Sequence, residues 1–281
     1  MILSFHPCFT ADRQVIFYSR RKIAKDDISL IKRADLIILP QSFSGELYEL
    51  CLKSGADIFP DYHARFGYQG KTGQSLLISE AGVSQPETYI WQSTEEFLRS
   101  FDDSLHGGYP FLLKTDKGHE GDGIFIIRDK EDIPGALRGL KVRGNKFVSQ
   151  EFIDTGGNIL RVVVMADTYI SYWKRAEETD YAGIISMKNG AFVDREWNPG
   201  YQEKGRAAAK IMCEKTGINL AAFDFVFDFK RDASEALLLE INYYFGRRGL
   251  GGSINYYKTL YNALVKWMDE RGYDSGRVLL V

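Results

Sequence analysis

The chain has 281 residues, 44% of them hydrophobic and 26% charged, a composition that predicts a folded globular protein with a sizeable core. Its 36 basic and 38 acidic residues leave a net charge of −2, which argues against a nucleic-acid partner held by a bulk positive field. No apolar run approaches the ~20 residues that span a bilayer, and Cys8, Cys51 and Cys213 are scattered and odd in number, so reduced thiols, no structural zinc, no membrane and a cytoplasmic location are expected.

The opening MILSFHPCFTADRQ is broken by Pro7 and by charge, which predicts a first strand and not a signal peptide. The stretches ILSF, DDISLIKRA, DLIILP, GELYELCLKSG and ADIFP then alternate strand and helix patterns, the reading of βαβ units on a parallel sheet. A helix follows from about Thr72 to Ala81, stopped by Gly82 and Pro86. From Tyr89 the pattern changes: strand TYIW, helix STEEFLRSF, a hairpin, helix DKEDIPGALRGL and strand FVSQEFI. The antiparallel-looking strands LRVVVMAD, TYISYWKRA and AFVD come next. Helix QEKGRAAAKIMCEKTG, strands LAAFDFVFDF and ALLLEIN, and a closing helix SINYYKTLYNALVKWMDE complete the chain. The expected division is 1–88, 89–152 and 153–281, within an α/β class of α+β lobes, and no internal repeat or low-complexity linker interrupts it.

Four groupings carry candidate chemistry. In FLLKTDKGHEGDGIFII a strand ends on Lys114 and a Gly-rich loop leads into a second strand. Successive N–H groups of such a loop can cradle an anion, and the same pattern reads as a hairpin turn with glycines at positive φ. It lacks the spacing of a P-loop or a dinucleotide fingerprint, because a strand follows where those need a helix. In AAFDFVFDF and ALLLEINYYFG, Asp224 lies within an apolar strand, and Glu240 and Asn242 point to one face of another. Two carboxylates and an amide oxygen are hard ligands suited to Mg²⁺ held with substrate phosphates; a solvent-facing strand end is the other reading. SYWKRA puts Lys174 and Arg175 at a strand end, with Arg161 on the preceding strand, as a basic group that could steady a transferring phosphoryl or simply be solvated. SQEFI, from Gln150, is a strand end whose backbone could meet an adenine edge.

In their order along the chain, these pieces resemble the ATP-grasp superfamily, most closely the branch of ribosomal-protein glutamate ligases and glutathione synthetase-like carboxylate–amine ligases. The resemblance covers roughly Lys71 to the C-terminus by motif and the first ~65 residues by their βαβ pattern. It implies an ATP-grasp fold, with residues 1–88 as the domain preceding it, 89–152 as a small lobe with a Gly-rich lid, and 153–281 as a large lobe with the metal site. Lys71 in GKTGQSLL and Lys114 fall where the family has its two ATP-phosphate lysines, and Gly118, Gly121 and Gly123 match the loop that closes on the phosphates. Gln150, Glu151, Phe152 and Ile153 match the adenine hinge. Arg161, Lys174 and Arg175 match basic catalytic positions, and Asp224, Glu240 and Asn242 match the metal ligands, with Asp228 a rival for Asp224. The acid that usually precedes the family's arginine is missing in NILR, which leaves Asp154 or Asn158 for the ribose.

The resemblance implies ATP and Mg²⁺, or Mn²⁺, as cofactors and a cytoplasmic ligase that joins a small carboxylate to an amine on a small molecule or on a peptide or protein terminus. The carboxylate would take the γ-phosphate, and the amine would capture the acyl phosphate. A kinase acting on a hydroxyl and a non-catalytic ATP-binding protein remain alternatives, and a homo-oligomer is left open. A dinucleotide-binding enzyme is disfavoured, because no glycine fingerprint follows ILSF. The acceptor side departs from the family: DYAGIISM lacks its usual polar residues, and YYFGRRGLGG replaces its small-residue segment. Arg247 and Arg248 there read equally as an anion site or a basic surface loop. Tyr243, Tyr244, Phe245, Tyr256 and Tyr257 read as packing more readily than as an acceptor pocket.

Overall fold

The computed structural model describes residues 1–17, 21–118, 123–143, 146–176, 191–230 and 235–281. The first third alternates short strands and helices: β1 (Ile2–Ser4), β2 (Phe9–Thr10), β3 (Arg13–Gln14), α1 (Lys25–Arg33), β4 (Leu36–Ile38), α2 (Gly45–Leu52) and β5 (Asp57–Phe59). Strands β3-β1-β4-β5 form a wholly parallel sheet. The unbroken apolar run of β4 is buried on both faces, as a central parallel strand requires. A short α3 (His63–Gly67) leads into α4 (Gly70–Glu80), which starts before the expected Thr72. Its own N-cap residue, Gln69, makes no capping bond, and the missing acceptor comes from Asp116, far along the chain.

The middle segment contains β6 (Thr88–Trp91), α5 (Thr94–Ser100), β7 (Phe111–Thr115), β8 (Ile124–Ile127), α6 (Ile133–Arg143) and β9 (Phe147–Glu151). Ser93 caps α5 by accepting from the Glu96 N–H at 3.1 Å. Antiparallel strands β6-β9-β7-β8 form its sheet, and Phe97, Phe111, Leu113, Leu140 and Phe147 fill the core beneath the two helices.

The last segment contains β10 (Asn158–Met165), β11 (Thr168–Arg175), β12 (Phe192–Asp194), α7 (Pro199–Thr216), β13 (Leu220–Val226), β14 (Leu237–Asn242), α8 (Ser253–Asp269) and β15 (Leu279–Leu280). Strands β12-β11-β10-β13-β14 make an antiparallel sheet. Alternation along its strands sends Leu160, Val162, Trp173 and Phe223 toward α7, and Val163, Tyr172, Leu220 and Ala222 toward α8. The core around α8 also holds Ile2, Leu36, Ile38 and Phe59, so this helix is shared between the N-terminal and C-terminal sheets. Strand β15 pairs with β2, which brings residues of the expected 153–281 unit back onto the first segment. The cysteines are free, and among the described residues no helix is long and apolar enough to cross a membrane.

Candidate active site

Strands β10, β13 and β14 lie side by side, and their register sets Arg161 against Asp224 and Asp224 against Glu240. Asp224 is 3% exposed and is gripped from several sides. Arg161 donates through Nε and Nη2 to its two oxygens at 2.7 Å each, Lys174 donates at 2.9 Å, and the Asn242 amide donates at 3.2 Å. A buried carboxylate needs such a set of donors, because unpaired it would lose its hydration without compensation. Burial works against its ionisation, but the Arg161 and Lys174 charges override it and hold the carboxyl well below the usual range. Burial likewise pulls Lys174 below the ordinary lysine range, with Asp224 opposing. Tyr172, a residue the motifs did not single out, stands opposite Arg161 in the register of β10 and β11.

The second half of the cluster comes from α4 and β7. Lys71, in the first turn of α4, ion-pairs with Glu240. Lys114 on β7 is 5% exposed and donates to Gln150 Oε1, whose Nε2 donates in turn to the Thr88 hydroxyl at 2.8 Å. Burial, with the Lys71 charge adding to it, pushes Lys114 down to about 7. Four basic side chains, three of them plainly cationic, thus surround two carboxylates. That excess of positive charge fits a polyphosphate, and a bare divalent cation would gain little from it.

Several expected residues lie elsewhere. Arg175 is not part of the cluster: next to Lys174 on a strand, it points to the opposite face, pairs with Asp194 at 2.9 Å and lies 4.2 Å over the Trp197 ring. Asn158 is engaged with Arg175 and with the carbonyls of Thr155 and Gly156, and Asp154 pairs with Lys230 at 2.9 Å. Gln150 holds Lys114 and Thr88 and does not present a side chain to a hinge ligand. Glu151 exchanges bonds with the backbone of Glu87, while the backbones of Phe152 and Ile153 make no hydrogen bond among the described residues. Gly118 and Gly123 flank the loop of the β7–β8 hairpin; Gly123 has φ +81° and its carbonyl accepts from the Thr115 N–H at 2.9 Å. Gly121 and the DYAGIISM segment lie outside the described residues.

Asp224, Glu240 and Asn242 do come together, but Asp224 faces cations and Asn242 turns its amide NH₂ toward it. Among the described residues no three His, Cys, Asp or Glu side chains are grouped as a metal site. The turn after β14 returns over the same sheet face: Gly249 packs on Tyr172 so closely that a Cβ there would enter the ring. Arg247, two residues earlier, lies 4.6 and 4.5 Å from the ring centres of Tyr256 and Tyr257. Together with burial, its charge pushes His6, on the loop after β1, down to about 4. Tyr256 and Phe245 are core residues and Tyr244 is 70% exposed, so that set is packing or surface more than a shared pocket wall.

The family model described as "RimK-like ATP-grasp domain" matches residues 70–251. A probable alpha-L-glutamate ligase of Halorhodospira halophila is 28% identical over 182 residues, covering 62% of this chain and 55% of that protein. N-acetylaspartylglutamate synthase A of Mus musculus is 29% identical over 90 residues, 32% of this chain and 23% of that protein. The chain therefore spans about half or less of the length of these relatives. In fold it is similar to N5-carboxyaminoimidazole synthetase from Staphylococcus aureus complexed with ADP, with a TM-score of 0.61 at 14% identity, covering 85% of this chain and 61% of that one.

Proposed function

Since the chain belongs to the RimK-like ATP-grasp family, we propose that it is an ATP-dependent ligase that joins a small carboxylate to an amine through an acyl phosphate. The observation that carries this reading is the convergence of Lys71, Lys114, Arg161 and Lys174 on Asp224 and Glu240, which is a site for polyphosphate. Lys71 and Lys114 bind the phosphates, and the backbone edge at Phe152 and Ile153 takes the adenine. Arg161 and Lys174 neutralise charge as the γ-phosphoryl moves from ATP to the substrate carboxylate and ADP leaves with the bonding pair. The amine then attacks the acyl carbon, phosphate leaves with the bonding pair, and the amine loses a proton to give the amide.

The donor chemistry of Asp224, Glu240 and the Asn242 amide oxygen fits Mg²⁺ delivered with the nucleotide, because phosphate charge offsets the surrounding cations and Lys71 can exchange Glu240 for phosphate. Held by those residues, Mg²⁺ would offset phosphate charge facing the attacking carboxylate. Arg175 is left out of the reacting group, where its neighbours hold it on the far sheet face. Arg247, with no carboxylate partner among the described residues, is the candidate contact for a substrate anion on the acceptor side.

The test is thermal stabilisation by MgATP with and without EDTA, followed by phosphate release in a panel of carboxylates and amines. Stabilisation that EDTA removes and Glu240→Gln weakens, with an amide product, is the expected result. A phosphoester product without free phosphate would identify a kinase, and no stabilisation at millimolar MgATP would overturn the nucleotide site.

A further inference from the structure

The two phosphate lysines stand on elements far apart in sequence, and one carboxylate joins those elements. Asp116 follows Lys114 by two residues, just past the end of β7 and at the root of the Gly-rich hairpin. Its Oδ1 accepts from the Thr72 N–H at 3.0 Å and from the Thr72 hydroxyl at 2.7 Å, and its carbonyl accepts from the Lys71 N–H at 2.9 Å. These bonds close the first turn of α4, whose local N-cap residue supplies none. Gly70 makes room for them: its φ is +74°, and a Cβ there would collide with the Asp116 carboxylate. The Asp116 N–H in turn donates to the Lys146 carbonyl at 3.3 Å, which ties the latch to β9 and so to the sheet that buries Lys114.

We infer that Asp116 is a positioning residue that holds Lys71 beside Lys114, so that the phosphate clamp is assembled before nucleotide arrives. The inference rests on the nucleotide reading above. It follows from how the lysines are held: Lys114 is fixed by burial and Gln150, whereas Lys71 sits in a first helical turn that frays when uncapped. Asp116 bonds the backbone of Lys71 and Thr72, so its effect on ATP is expected to pass through Lys71.

The experiment is a double-mutant cycle on the full chain, with Asp116→Ala, Lys71→Met and the pair, read as the MgATP dissociation constant by calorimetry. Asp116→Asn is added because its Oδ1 still accepts from Thr72. Asp116→Ala is expected to weaken MgATP binding about tenfold, the size of one lost helix cap. Asp116→Asn should remain within about twofold of wild type. In the Lys71→Met background, Asp116→Ala should add nothing further. Additive losses, or a lowered melting temperature with an unchanged dissociation constant, would overturn the inference. A wild type that binds no MgATP would sink the nucleotide reading itself. The latch would then be judged by hydrogen exchange at the Thr72 amide: protection lost in Asp116→Ala and kept in Asp116→Asn supports it, and no difference refutes it.

Discussion

Lys114 is buried in a place where its charge is costly, and that cost has two consequences that can be measured. Its folded value near 7 lies below the ordinary lysine value of 10.5, so between those limits the folded protein binds fewer protons than the unfolded chain. Stability from this residue therefore rises as pH increases from about 7 toward 10, and Lys114→Met should flatten that rise in urea titrations. Polyphosphate favours the charged amine, so MgATP binding at pH 8 should draw up to about one proton from buffer. Calorimetry in buffers of different ionisation enthalpy would detect it, and equal uptake in Lys114→Met would refute the assignment. Asp224 works in the opposite sense. Its depressed carboxyl contributes stability that is present above the unfolded value and lost as pH falls through the folded one. Asp224→Asn leaves Arg161 and Lys174 buried without their carboxylate, and a loss of about 3–5 kcal/mol by urea unfolding is expected. An unchanged midpoint would mean that water, not Asp224, compensates those charges.

At the level of elements, strand alternation decides which charges meet. Lys174 and Arg175 adjoin in sequence, yet one reaches Asp224 and the other pairs with Asp194 across the sheet. The residue pair was visible in the sequence. Which member faced the site depended on which sheet face α8 covers, and a lone SYWKRA contains no such information. The turn at 248–250 is a second example. Nothing in YYFGRRGLGG names Tyr172, but Gly249 lies against its ring, and Tyr172 stands opposite Arg161 across β10 and β11. Gly249→Ala should displace the ring, with a destabilisation of about 1–3 kcal/mol and a loss of kcat/KM larger than any change in the KM for ATP. Wild-type kinetics in that variant would show that the turn has slack that its close packing hides.

On the scale of the molecule, α8 is the element that makes one body of two sheets. Its apolar face packs on Val163, Met165 and Leu220 from one sheet and on Ile2, Leu36 and Phe59 from the other, and β15 adds a strand to β2. Elements that share a core lose it together, so both sheets should unfold in one transition. Hydrogen exchange in β4 and in β13 should report the same opening free energy in urea, and removal of residues 270–281, including the fully buried Val278, should lower both. Separate transitions would mean that the shared core contributes little. The expected 1–88 and 153–281 units share this core, which a helix pattern does not reveal, because it shows an apolar face and not how many partners lie against it.

Local chemistry and periodicity could be read directly from the order of the residues. The parallel βαβ start, the antiparallel sheets, the strand-end Lys114 and the Glu240–Asn242 pair on one strand face were all legible, because alternation and glycine placement are properties of neighbouring residues. Packing alone sets Lys71 against Glu240, caps α4 with Asp116 from 44 residues away, and grips Asp224 with Arg161 and Lys174 but not with Arg175. Those contacts join elements distant in the chain, and their energies exist only once the sheets have packed and water has left the carboxylates.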